Sequence, residues 1–272
     1  MGESAHRAVE APGIVFIGSG NVACHLARAF KDAGAKIVQV CSRTAANAES
    51  LAGSVGAIAI TKLSEVDTSA DFCIICVGDS AVAGVAERLP HMDGIVLHTS
   101  GSVPMEVLKA ASERVGVLYP LQTFSKGRAL DVAKVPFFTE ASEEEVLESV
   151  DSLASMVSCS VHHADSFTRP LLHVAGVLAC NFPNYLLGCA ADVLARGGYN
   201  LDVLRPLVQE TMDKAFTSGA DSAQTGPARR GDMHTIATHA SILPPVQAEI
   251  YNMLSRAIMQ RHNIIVNEQN QL

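Results

Sequence analysis

The segment Gly18-Ser19-Gly20-Asn21-Val22-Ala23 constrains this chain more than any other. It follows the apolar run Ile14–Ile17 and opens a stretch, Val22–Phe30, whose apolar residues recur at helical spacing. A glycine-x-glycine-x-x-alanine turn between strand and helix suits a dinucleotide pyrophosphate. The first glycine permits the tight turn and the second lets backbone approach the phosphates. The small Ala23 permits close helix–strand packing. The helix start adds free N–H groups and a positive dipole end. Gly18, Ser19, Gly20, Asn21 and Val22 are therefore expected to bind a cofactor. The alternative is an ordinary tight turn, against which the surrounding strand–helix–strand unit argues.

Further strands are read at Lys36–Cys41, Ala57–Ile60, Phe72–Val77, Ile95–His98 and Val115–Tyr119, with a helix over Ser80–Leu89. Near-continuous apolar strands alternating with helices predict an α/β fold, a doubly wound and mostly parallel sheet. Phe137-Phe138 adds a further strand, Glu143–Met156 a helix and Ser158–His162 an edge strand. After about Ala164 long helical patterns take over: Pro170–Leu194, Asp202–Phe216, Asp232–His239 and Pro245–Gln260. The expected division is a short disordered lead over 1–12, a dinucleotide-binding domain over 13–163, and a smaller all-helical substrate and dimerisation domain over 164–272.

The end of the second strand bears on which cofactor. An NAD site usually places a carboxylate there for the ribose hydroxyls. This chain has Cys41-Ser42-Arg43-Thr44 instead. Arg43 can pair with a 2′-phosphate, and Ser42 and Thr44 can donate to it. NADP is therefore expected over NAD, the alternative for Arg43 being a solvated loop residue. Ligands in such sheets lie beyond the carboxyl ends of the strands. Val77-Gly78-Asp79 and His98-Thr99-Ser100 should then flank the nicotinamide, although Asp79 or Ser80 could simply cap the next helix.

Net charge narrows the partners. At −8 with no basic run, the chain is not expected to bind nucleic acid or anionic membrane surfaces. No stretch is read as approaching the roughly 20 apolar residues of a membrane helix, and the polar N-terminus lacks a secretory core. Seven cysteines at irregular spacing do not form a disulfide framework, so a cytoplasmic setting is expected. Cys73 and Cys76, three apart on a strand, should face opposite ways and bind no metal. His162 and His163 lack further ligands at zinc-like spacing.

The glycine motif, the Ser42-Arg43-Thr44 ending and the helical second half resemble pyrroline-5-carboxylate reductase, β-hydroxyacid dehydrogenases and deazaflavin-dependent NADP reductases. A closer resemblance is to the Rossmann-like NADP oxidoreductase family with a C-terminal domain of unknown function. It is carried by His98–Gly101, Tyr119–Phe124, His173–Asn181, Thr225-Gly226-Pro227 and Arg230-Gly231-Asp232. The resemblance implies a fold and a cofactor class, not a substrate. β-Hydroxyacid dehydrogenases place a proton-donating lysine on the first long helix of the second domain. The equivalent stretch here, Pro170–Leu194, has none.

Hydride transfer to C=O or C=N needs a proton donor. His173 is the leading candidate. Asn181, eight positions on and near the same helical face, would orient substrate or water in a cleft between the domains. A hydrogen-bonded interior histidine is the alternative for His173. His98 is the second candidate for the proton. Ser100 and Arg230 are expected to bind substrate, Arg230 because Gly231 beside it lets backbone approach closely; Asp232 should cap the next helix. These residues predict an NADP-dependent oxidoreductase acting on a small carbonyl, imine or hydroxyacid compound, assembled as a homodimer. The alternative is a non-catalytic dinucleotide-binding sensor or regulator.

Overall fold

The computed structural model describes residues 11–265, so most of the expected lead over 1–12 lies outside the described residues. The chain divides into two compact units, Met1–Cys180 and Asn181–Leu272.

The first unit is built on eight strands: β1 (Gly13–Ile17), β2 (Lys36–Cys41), β3 (Ile58–Ile60), β4 (Phe72–Ile75), β5 (Ile95–His98), β6 (Val115–Pro120), β7 (Phe137–Ala141) and β8 (Val161–His163). Their spatial order is β3-β2-β1-β4-β5-β6-β7-β8. Every pairing is parallel except β6 with β7, which run antiparallel with Pro120 opposite Phe137. The order reverses at β1, and such a reversal opens a crevice at the carboxyl ends of β1 and β4.

Helices cover both faces because successive strand residues point to opposite sides. On one face Ile14, Phe16, Val40 and Ile74 meet α1 (Asn21–Asp32) through Leu26 and Phe30, and α2 (Ala45–Val55) through Leu51. On the other, Val15, Ile17, Cys73 and Ile75 meet α3 (Asp79–Ala86) through Val82 and Val85. Wholly burying one such large apolar side chain contributes about 1.5–3 kcal/mol. Cys73 and Cys76 fall in opposite layers, as their spacing predicts. Burial pushes both thiols up, so they are inert packing groups. Helix α4 (Glu144–Ser155) returns to the first face through Val146 and Val150.

Helix α5 (Thr168–Gly176) is followed by a π-helical turn, Val177–Asn181, and by α6 (Phe182–Ala195). The continuous helical run Thr168–Ala195 has 28 residues and is apolar enough to cross a membrane by length and composition. This corrects the expectation that no segment reaches that length. His173, Asn181 and Pro183 interrupt the apolar sequence, but the helix runs on through all three.

The second unit holds α6, α7 (Arg205–Ser218), α8 (Ala220–Ala223), α9 (Pro227–Arg230), α10 (Met233–Ser241) and α11 (Pro245–Arg261). Its buried core is small, centred on Ala228, Ile236 and Met259. Large apolar side chains such as Leu207, Phe216, Val246 and Met253 stay exposed.

Candidate active site and cofactor cleft

The glycine turn is shaped by contacts that only glycine allows. Gly18 has φ 113°, and a Cβ there would lie 2.3 Å from the Cys76 carbonyl oxygen. Alanine would be strained twice over at this position. Gly20 and Gly78 differ, since a Cβ on either would meet nothing within 4 Å. Both leave backbone bare toward open space at the starts of α1 and α3. Such a turn, with helix N–H groups behind it, fits a pyrophosphate.

A cleft of about 680 Å³ runs from Gly18, Ser19 and Gly20 to Ser42, Arg43 and Thr44, with Val77 and Gly78 on its other wall. It therefore brings together most of the residues expected to bind the cofactor. The Ser19 hydroxyl donates to Ser42 Oγ at 2.8 Å and ties the glycine turn to the end of β2. Thr44 is the N-cap of α2, yet its side chain makes no capping bond. The lining carries three cations, Arg43, Arg88 and Lys126, and no carboxylate. Asn21 is engaged otherwise than expected: its Nδ2 donates to the Phe124 carbonyl at 2.9 Å.

The loop after β5 is held by its own hydrogen bonds. His98 is wholly buried, and its Nδ1 accepts from the Ser100 N–H at 3.1 Å. Burial, then the Arg169 guanidinium, lower its pKa to about 4, against the pull of the Pro104 carbonyl and Asp79. The neutral, inaccessible ring is a structural group, which corrects its reading as a proton donor. Ser100 is corrected likewise. It is buried, and its Oγ accepts from the N–H groups of Ser102 and Val103 at 3.1 Å each. That leaves it holding the loop rather than reaching a substrate. Thr99 continues from β5, its N–H donating to the Ile75 carbonyl at 3.3 Å. Asp79 does not cap α3, and nor does Ser80, since Gly78 is the N-cap and makes no side-chain cap bond. The Asp79 carboxylate instead accepts from Ser102 Oγ at 2.6 Å.

Arg169 organises this region, though the sequence reading passed over it. It is wholly buried, paired with Glu140, and its Nε donates to the Ser100 carbonyl at 3.1 Å. A second guanidinium nitrogen donates to the Val103 carbonyl. The signal available in the sequence was an arginine opening an apolar helix, where only a buried acid could neutralise it.

His173, one turn further along α5, is half-buried. Its Nδ1 lies 3.2 Å from the Tyr119 hydroxyl, the rings meeting edge-on at 62°. Gly101 makes this approach feasible, since a Cβ there would stand 2.9 Å from His173 Nδ1 and 2.8 Å from the Tyr119 ring. Burial, then the Asp79 carboxylate, push the Tyr119 phenol up, with Arg169 opposing. Tyr119 is the penultimate residue of β6, next to the strand that carries His98.

Asn181 closes the π-helical turn and is exposed. Arg230 ends α9 and is exposed as well. The reason offered for Arg230 is corrected. Gly231 adopts φ 70° as the left-handed C-cap of α9, and a Cβ there would stand 3.0 Å from Ile264. This glycine serves the helix end rather than a ligand. Asp232 does cap α10, accepting from the Thr235 N–H at 3.0 Å. His162 and His163 are engaged separately, with Ser160 Oγ at 2.8 Å and Asp151 Oδ2 at 2.7 Å.

Two family models match the chain. The one described as NADP oxidoreductase, coenzyme F420-dependent, covers residues 13–99, and a domain of unknown function, DUF2520, covers residues 135–258. A crystal structure from Bacteroides fragilis, described as a "putative NADP oxidoreductase", shares 40% identity over 92% of this chain and 99% of that one, with a TM-score of 0.86. The chain belongs to this family of NADP oxidoreductases. Family membership thus spans both units and agrees with the doubly wound sheet and helical C-terminal part. More distant structures share the fold. A reductive aminase from Aspergillus terreus, in complex with NADPH and ethyl-5-oxohexanoate, has 16% identity over 92% of this chain and 94% of that one, TM-score 0.70. A 1-pyrroline-5-carboxylate reductase from Streptococcus pyogenes has 12% identity over 96% and 99%, TM-score 0.62. No curated protein matches the chain.

Proposed function

We propose that this member of the NADP oxidoreductase family reduces or oxidises a small carbonyl, imine or hydroxyacid compound with NADP(H), using His173 as general acid or base. The observation carrying the reading is the Tyr119–His173 pair, a titratable dyad at the carboxyl edge of a sheet whose cofactor cleft has cations and no carboxylate. The relatives with NADPH and small-molecule ligands support it by likeness of fold.

Gly18, Ser19, Gly20 and Val22 would hold the pyrophosphate. Ser42, Arg43 and Thr44 would hold the 2′-phosphate, and Val77, Gly78 and Thr99 would border the nicotinamide. The cofactor supplies hydride to the substrate carbon or takes it back. The chain supplies the proton. In its doubly protonated form His173 donates Nδ1–H to the Tyr119 hydroxyl oxygen, which leaves Nε2–H facing the substrate. That Nε2 proton passes to the substrate oxygen or nitrogen during reduction, leaving neutral imidazole protonated on Nδ1, and returns to Nε2 during oxidation. Tyr119 is thus a positioning residue for the tautomer of His173.

The test is a screen of small ketones, imines and hydroxyacids by NADPH consumption, with His173→Gln alongside. Turnover should fall by roughly 100-fold or more while NADPH affinity stays within about twofold. Equal turnover removes His173 from the chemistry. Tight NADPH binding without consumption across the screen would favour the sensor reading.

We also propose a homodimer formed through the helical part. Its support is the apolar surface along the helical run, where Leu171, Val174, Leu178, Phe182 and Tyr185 are each more than half exposed. Patches of this kind mark association surfaces. A bilayer is the other solvent that would cover them. Dimerisation is preferred because Arg169, at the start of the run, is locked into the sheet unit by Glu140.

A further inference from the structure

The loop between β6 and β7 brings a cation to the cofactor cleft from outside the glycine motif. Its base is closed, the Leu121 N–H donating to the Pro136 carbonyl at 3.0 Å. From there it crosses α1 and is fastened twice. Asn21 Nδ2 donates to the Phe124 carbonyl at 2.9 Å, and His25 Nε2 lies 3.1 Å from the Ser125 carbonyl. Asn21 and His25 are four apart on the helix, so the two bonds act from one face. The Phe124 ring packs on His25 at 5.3 Å. The next residue is Lys126, and Gly127, at φ 82°, then turns the chain.

Lys126 lines the cofactor cleft and also an adjoining hollow of about 600 Å³, together with Ser19 and Asn47. Asn47 sits in the first turn of α2, just past Arg43 and Thr44. The lysine therefore shares its surroundings with the end of β2, where a 2′-phosphate would lie. Arg88 is partly committed, its Nε donating to the Gly84 carbonyl at 2.6 Å. Among the described residues neither Arg43 nor Lys126 is paired with a carboxylate. In a chain of net charge −8, a cleft lined by cations and lacking acids favours an anion.

We propose that Lys126 is a second cationic contact for the 2′-phosphate of NADP(H), delivered by the fastened loop, and that discrimination against NAD(H) is divided between Arg43 and Lys126. The inference rests on the NADP reading above.

The test is equilibrium binding, free of turnover. Nicotinamide fluorescence would follow NADPH and NADH, and calorimetry would follow adenosine 2′,5′-bisphosphate and 5′-AMP, on the native chain, Arg43→Ala, Lys126→Ala and Lys126→Arg. Lys126 is exposed, so its replacement leaves the fold intact. Lys126→Ala should weaken NADPH and the bisphosphate by roughly tenfold, the scale of one charge-assisted hydrogen bond. NADH and 5′-AMP should stay within about twofold, and Lys126→Arg should keep most of the affinity. Unchanged NADPH binding in Lys126→Ala, with a loss in Arg43→Ala, overturns the inference and leaves the NADP reading standing. Equal losses for NADPH and NADH overturn it too, by placing the lysine on the pyrophosphate. A native chain without preference for NADPH overturns both.

Discussion

Arg169 is wholly buried against Glu140, and through its other nitrogens it holds the carbonyls of Ser100 and Val103. One side chain thereby joins the start of α5 to β7 and to the loop after β5. Removing one member of a buried ion pair strands the other charge, at a cost of about 3–5 kcal/mol. Arg169→Ala should lower stability by that amount in chemical denaturation. Arg169→Lys should recover little, because an ammonium cannot reproduce a planar fork reaching three acceptors. A stable Arg169→Lys protein would show that charge alone matters here.

His98 carries a pH dependence of predictable sign. Its folded pKa, about 4, lies below the ordinary 6.5 of an unfolded histidine. Above pH 6.5 neither state takes the proton. As pH falls the unfolded state binds it first, so stability is lost between about pH 6.5 and 4, by roughly 3 kcal/mol in all. Thermal melts over this window should fall more steeply for the native chain than for His98→Gln. Parallel profiles would assign the acid sensitivity elsewhere.

Gly101 tests the dyad without touching either member. A Cβ there would collide with both His173 and Tyr119, so Gly101→Ala should part them by a few tenths of an ångström or more. Displacements near 1 Å cost about 100-fold in turnover. Turnover in Gly101→Ala should therefore drop at least about tenfold, with NADPH affinity near native. An unaltered rate would mean that the pair is not used in catalysis.

Light scattering checks the association surface. The native chain should measure as a dimer at micromolar concentration. Leu178→Glu combined with Phe182→Glu should give a monomer with native-like circular dichroism. A monomeric native chain, or one needing detergent to stay in solution, would overturn the dimer.

The glycine turn was legible because each of its residues answers to local backbone geometry, and so was the alternation of strands and helices. Cys73 and Cys76 were placed correctly by the two-residue period of a strand. What escaped was everything set by pairing across the sheet. Nothing local in Phe137–Ala141 says that β7 runs antiparallel to β6. Tyr119 and His173 are 54 positions apart, and the spacing that put His173 on a helix could not name its partner. Lys126 looks like any surface lysine until the bonds from Asn21 and His25 fasten its loop. His98 and Ser100 misled for the converse reason. Polar residues at a strand's carboxyl end read as ligands, but here the Ser100 N–H is spent on His98 Nδ1 and Ser100 Oγ on the loop that follows.

The reversed strand has an evolutionary corollary. Because β7 runs against β6, the segment between Leu121 and Pro136 leaves and re-enters the sheet at the same end of these two strands, and the bond between those two residues shuts it off like a drawstring. Insertions or grafts in its outer stretch, residues 125–129, need not disturb any strand register, whereas Val132 and Val135 are buried in the core and are held in place. Rewriting the stretch around Lys126 would thus retune one half of the cofactor choice, while the other half stays with Arg43 at the end of β2.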